Sequence, residues 1–270
     1  MRHNLYSDKL ESLLFAVGAK KFVIFSFPRT RSNLLCNHLD SHPNIICHYE
    51  VFHQDEVYVV GGYDRVLGLA SPTDTAARDA DPLDLAGCLY QADLSGRAKA
   101  IGFKMFPEHN ADVRRALAKD SSVLKILLTR DPIYAFTSWK IALADDEWTN
   151  YTATQPREKS TVVDLDEFIA WYYRIADYFE EIKMLARENG SSCMDVKSLD
   201  VADGTAAALI AMQLGLIPAE VKSDLRPQNT LDLQKRIENY ETVRAELMKR
   251  NLGCLLPEKG EIPIQSRSTS

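Results

Sequence analysis

The chain has 270 residues, 46% of them hydrophobic and 26% charged, and a formal net charge of −6. That length supports one sizeable α/β domain with its own core. No apolar run approaches the roughly 18 residues that a membrane span needs, and the acidic balance argues against nucleic acid or a heavily sulfated polyanion as a partner. Five cysteines, Cys36, Cys47, Cys88, Cys193 and Cys254, include no C-x-x-C pair and read as thiols of a reducing compartment, so the expected location is cytoplasmic.

The N-terminal segment up to Lys21 carries an apolar patch interrupted by Asp8 and Glu11, too short for a signal peptide. A β-rich run, Phe22 to Phe27, predicts the first strand. The loop Pro28-Arg29-Thr30-Arg31-Ser32 feeds a helix whose Leu34, Leu35 and Leu39 fall at helical spacing, and a Pro-marked turn leads to a second strand ending near Glu50. A strand that opens into a helix N-terminus presents unpaired N–H groups and the positive end of the helix dipole. With Arg29, Arg31 and the hydroxyls of Thr30 and Ser32 added, the loop suits an anion, best a phosphate. It has neither the glycines and Lys of a nucleoside-triphosphate loop nor the G-x-G-x-x-G of a dinucleotide site.

Residues 53–82 contain Gly61-Gly62 and Ser71-Pro72 and read as an irregular stretch, a candidate lid over an acceptor. A strand over Ala100 to Phe106 and a helix from about Asn110 follow. The run from Val123 reads as a buried strand ending at Arg130, with Asp131 as a candidate N-cap and Pro132 at the first helical position. Ser138 lies about two turns into that helix. Residues 144–160 are polar and read as a second flap. A long amphipathic helix is expected over Val163 to Glu188, then a short strand over Cys193 to Val196 and helices over Ala202 to Leu214 and Leu231 to Lys249. The domain is expected to span 1–256, with a flexible tail over 257–270. Strands alternating with helices predict a central, mostly parallel sheet flanked by helices, in which Arg29, Glu50, Lys104 and Arg130 fall at or just beyond strand ends, on the rim where ligands bind.

The segment PRTRSNLLCNHLDSHPN followed by a carboxylate resembles the phosphosulfate loop of sulfotransferases that use 3′-phosphoadenosine-5′-phosphosulfate (PAPS), closest to the bacterial carbohydrate branch. The resemblance places Arg29 where the family carries its phosphosulfate-contacting Lys or Arg, and Thr30, Ser32 and Asn33 where the phosphate is cradled. Arg31 stands where many members have Gly. The segment VLKILLTRDPIYAFTSWKIAL is similar to the family's second motif, so Arg130 and Ser138 are expected to grip the 3′-phosphate. Arg suits this because its planar fork takes two phosphate oxygens at once.

What the resemblance implies is sulfuryl transfer from PAPS, as co-substrate, to a hydroxyl of a carbohydrate or other small acceptor, without a metal. Many relatives take the acceptor proton with a His in a K-[TS]-H strand. The matching segment here is GFKMFPEH, which keeps Lys104 and has Phe106 at the His position. Glu50 matches the carboxylate used by the carbohydrate branch and is the expected general base. His48 is the runner-up, with His53 and His109 behind it. Lys104 is expected to reach the oxygen that bridges sulfur and phosphorus. Arg226-Pro227-Gln228-Asn229 faintly resembles a late basic segment of the family. A nucleotide-dependent phosphotransferase and a non-catalytic 3′-phosphonucleotide-binding relative are the alternatives, and a homodimer is left open.

Overall fold

The computed structural model describes residues 18–148, 158–225 and 231–257. The N-terminal apolar patch, the middle of the 144–160 flap, Arg226 to Asn229 and the tail beyond 257 lie outside the described residues.

The fold is α/β, built on five parallel strands in the order β2-β3-β1-β4-β5. These are β1 (Lys20–Phe25), β2 (Ile45–Cys47), β3 (Ala100–Met105), β4 (Val123–Thr129) and β5 (Cys193–Lys197). The first helix, α1 (Ser32–Asp40), follows β1. After β2 come three helices, α2 (Tyr63–Val66), α3 (Thr75–Ala80) and α4 (Pro82–Leu89). Next are α5 (Ala111–Lys119), α6 (Pro132–Asp145) and α7 (Leu165–Glu188), then α8 (Ser198–Ala202), α9 (Thr205–Gln213), α10 (Leu233–Arg236) and α11 (Tyr240–Lys249).

The described chain forms two compact units, each drawn from several segments. One holds 18–27, 32–129 and 178–223; the other holds 28–31, 130–177 and the chain from 224. No linker marks this division because every segment returns to its unit after an excursion through the other.

The first unit contains the whole sheet. Its strands are near-continuous apolar runs, as parallel strands covered on both faces require. Phe22, Ile24, Ile126 and Leu128 meet Leu35 and Leu39 of α1 and Ile210 of α9 in one cluster. Elsewhere in this unit, Phe103 stacks with Phe52 and Tyr90, and Phe25 meets the edge of Tyr178. The Tyr178 hydroxyl donates to the Met105 carbonyl at 2.9 Å. In the second unit, Phe136 of α6 packs on Phe168 and Trp171 of α7, and Thr161 forms a parallel bridge with Ile237.

Three expectations needed correction. The 53–82 stretch is irregular only in part: it carries the short helices α2 and α3 and sinks Val57, Tyr63, Leu67 and Leu69 into the interior. Gly62 is left-handed at the N-cap of α2, and Asp74 caps α3, accepting from the Ala77 N–H. The helix expected from Leu231 to Lys249 breaks after Arg236, because Ile237 takes extended geometry for its bridge to Thr161. The helix expected from Ala202 to Leu214 is α9, which begins only after left-handed Gly204, with the short α8 ending at Ala202 before it. Asp131 does occupy the N-cap of α6, with Pro132 behind it, but its side chain makes no capping bond.

Gly102, paired with Phe22 on β1, has no room for a side chain: a Cβ there would collide with the Phe22 carbonyl and ring. Gly102→Ala is expected to cost about 1–3 kcal/mol through overpacking, seen as a lower midpoint in urea unfolding with an unchanged m-value.

Candidate active site

In the first unit, parallel pairing sets Lys104 opposite Ile24, and the chain leaves β1, β2 and β3 at the carboxyl edge of the sheet. Lys104 is fully buried there, at 1% exposure. Its ammonium lies 2.8 Å from Glu50 Oε1 and 3.4 Å from the Ser32 hydroxyl, and also donates to Asn33 Oδ1. Ser32 and Asn33 open α1, Glu50 lies in the turn beyond β2, and Lys104 comes from β3. Its Nζ also sits 4.9 Å over the Phe106 ring, a favourable cation–π contact. The residue that replaces the expected His thus packs against the lysine.

A histidine faces Glu50 from a second side. His109 Nε2 lies 3.7 Å from Glu50 Oε2, and the ring's Nδ1 accepts from the Phe106 N–H at 3.1 Å. A neutral ring bonded this way carries its proton on Nε2, facing the carboxylate. Burial pushes the Glu50 carboxyl up, but the Lys104 ammonium and His109 beside it hold it down at about 2.

His48 stands apart from this group. It is fully buried, accepts from the Val60 N–H on Nδ1 and packs edge-on against Tyr63. Burial pushes its imidazole down to about 3. β2 ends at Cys47, and His48, the runner-up base of the sequence reading, makes its contacts with residues 60 and 63. His53 rests against the rings of Tyr58 and His109.

The second unit gathers the other candidates. Arg29 Nε donates to the Ser138 hydroxyl at 2.9 Å, and its Nη1 donates to the Trp148 carbonyl at 2.6 Å. Arg130 Nη1 donates to the Arg29 carbonyl at 2.8 Å. Arg130 and Arg236 both lie over the ring of Tyr134, at 5.6 Å and 5.4 Å. Burial lowers the Arg29 guanidinium to about 10, and the charges of Arg130 and Arg236 add to the effect. Clustered like charges of this kind are relieved by an anion, and guanidiniums favour phosphate oxygens. Thr30 is fully buried, while Arg31 is partly exposed.

Both arginines of the loop have left-handed backbones, φ 71° at Arg29 and 67° at Arg31. Glycine accepts that geometry without steric cost, whereas other L-residues pay roughly 1–2 kcal/mol. Arg31 therefore keeps the backbone form of a glycine while adding a side chain.

One contributor escaped the sequence reading and another ranked low in it. Arg236 sits in LQKRIENY, which carries no motif and reads as ordinary helix surface. His109 ranked behind other histidines because its approach to Glu50 depends on the turn after β3, which periodicity does not reveal. Its Pro107 and Asn110 neighbours were the available signal, since they mark a turn and an N-cap.

No family model matches the chain, and no curated protein matches it in sequence. Among solved structures, it is similar to the crystal structure of a sulfotransferase from Alicyclobacillus acidocaldarius. The TM-score is 0.48 and the identity 16%, with 88% of this chain and 93% of that chain covered.

Two measurements check the geometry of the candidate residues. Arg31→Gly is expected to hold or raise stability, by up to about 1 kcal/mol, whereas Arg31→Val, β-branched at positive φ, lowers it by a similar amount or more. Chemical denaturation of the two variants reads the difference. Glu50 has a folded pKa below its unfolded value, so its contribution is complete above about 4.5 and is lost as pH falls toward 2. Glu50→Gln is accordingly expected to lose less stability than the unsubstituted protein between pH 5 and pH 3.

Proposed function

We propose that the protein is a sulfotransferase that moves a sulfuryl group from PAPS to a hydroxyl of a carbohydrate or other small acceptor. The observation that carries this reading is the Lys104 cluster: one buried ammonium tied to two residues of the phosphate-type loop and to a carboxylate. Such a group can hold an anionic leaving phosphate and deprotonate an acceptor side by side. The loop motif and the Arg130–Ser138 motif, both read from the sequence, support the same donor.

In this reading Ser32, Asn33 and Lys104 hold the 5′-phosphosulfate, with Arg29, Thr30 and Arg31 from the same loop. Arg130 and Ser138 take the 3′-phosphate. The reaction forms a bond from the acceptor oxygen to sulfur and breaks the bond from sulfur to the bridging phosphate oxygen. Glu50 accepts the acceptor's proton, and Lys104 balances the charge that develops on the departing phosphate. His109, with its proton on Nε2, faces the carboxylate from the other side. The work is mostly positioning and electrostatics, as in phosphoryl transfer.

Glu50→Gln tests the base. Turnover is expected to fall about 10²–10⁴-fold, while 3′-phosphoadenosine-5′-phosphate still binds. Sulfation of a hydroxyl-compound panel at an undiminished rate would remove Glu50 from the role. Arg130→Ala is expected to weaken binding of the same nucleotide about 10–100-fold, the worth of a charge-assisted contact. Unchanged affinity in calorimetry would remove the 3′-phosphate assignment.

A further inference from the structure

Lys104 has three ammonium protons, and the structure gives it three acceptors: Glu50 Oε1 at 2.8 Å, Ser32 Oγ at 3.4 Å and Asn33 Oδ1. Two of these are neutral groups of the loop. The third is an anion, and it is the stronger claimant. A phosphosulfate held by Ser32 and Asn33 would bring a second anion to the same buried ammonium. Lys104 cannot give both a full set of bonds.

We propose that Lys104 is shared in turn between Glu50 and the donor, so that a phosphosulfate arriving at Ser32 and Asn33 draws the ammonium off Glu50 and turns that carboxylate into a working base. The inference rests on the sulfotransferase reading and deepens it: the base becomes competent when the donor is in place, which orders the reaction donor first.

The electrostatics have the required sign. Lys104 leads the influences that hold Glu50 down, against burial, which pushes it up. When the ammonium turns to another anion, burial gains weight and the carboxylate becomes more basic. The other titratable groups around Glu50 are His109 at 3.7 Å, His53 against the His109 ring, and Tyr58 against His53. Lys104 is the one lysine of that set. His109 stays beside Oε2 through the exchange, because its Nδ1 is fixed to the Phe106 N–H.

Competition of this kind has a signature in binding alone, independent of acceptor and turnover. The probe is 3′-phosphoadenosine-5′-phosphate, titrated by calorimetry into the full chain at neutral pH. Glu50→Gln removes the rival charge and is expected to tighten binding on the order of tenfold, the scale of one charge-assisted interaction. In a Lys104→Met background the same Glu50→Gln change is expected to leave affinity unaltered. Glu50→Asp, which shortens the reach to Lys104, is expected to tighten binding in the same direction and serves if the Gln variant does not fold. Affinity that falls or stays level on Glu50→Gln, or tightens equally with and without Lys104, would overturn the exchange while leaving the donor assignment standing. Failure of the unsubstituted protein to bind the nucleotide would overturn the sulfotransferase reading itself, and the exchange with it.

Discussion

A fully buried ammonium is the constraint on which the sheet's carboxyl edge depends. Taking a lysine charge out of water costs several kcal/mol unless partners surround it. Lys104 meets that demand with one group each from the turn beyond β2 and the first two positions of α1. Those contacts fix the N-terminus of α1 and bring Glu50 back to β3, although β2 has only three residues to guide it. Register supplies the rest: Cys47 pairs with Gly102, and Gly102 must be a glycine for β1 to approach.

The same solution creates a tension. In the proposed reading, the ion pair that satisfies Lys104 leaves Glu50 a poor base, since general-base catalysis works best with a pKa near the operating pH. Stability and readiness for proton transfer therefore oppose each other at one atom pair. In the second unit the tension takes another form. Burial and the charges of Arg130 and Arg236 lower the affinity of Arg29 for its proton, Arg130 and Arg236 crowd around a single tyrosine ring, and two residues of the loop bear left-handed strain. Strain and like charge kept together are features that structures retain at ligand sites more than elsewhere.

Much of this was legible in the sequence. The strand–loop–helix order, the parallel sheet, the long α7 helix and the Pro132 start of α6 follow from apolar periodicity and local stop signals, and all are present. Arg29, Ser32, Asn33, Glu50, Lys104, Arg130 and Ser138 were picked out by motif, but their grouping was not. Nothing in a linear pattern says that Lys104 will bond Asn33 or that Arg29 will bond Ser138, because those pairings are set by sheet register and by turns. The misread segments share a cause. Short helices such as α2 and α3 are too brief to show a period, and the interruption at Ile237 is imposed by a bridge to Thr161 far away in sequence.

The most direct measurement is a thermal-shift comparison of 3′-phosphoadenosine-5′-phosphate with adenosine 5′-phosphate, ADP and ATP with Mg²⁺. A ligand at about a hundred times its dissociation constant adds roughly 2.7 kcal/mol to native stability, which for a chain of this size raises the midpoint by about 2–4 °C. A rise confined to the 3′-phosphorylated nucleotide is the predicted result. A rise with ATP and Mg²⁺, and none with the 3′-phosphorylated nucleotide, would contradict the sulfotransferase reading in favour of a phosphotransferase.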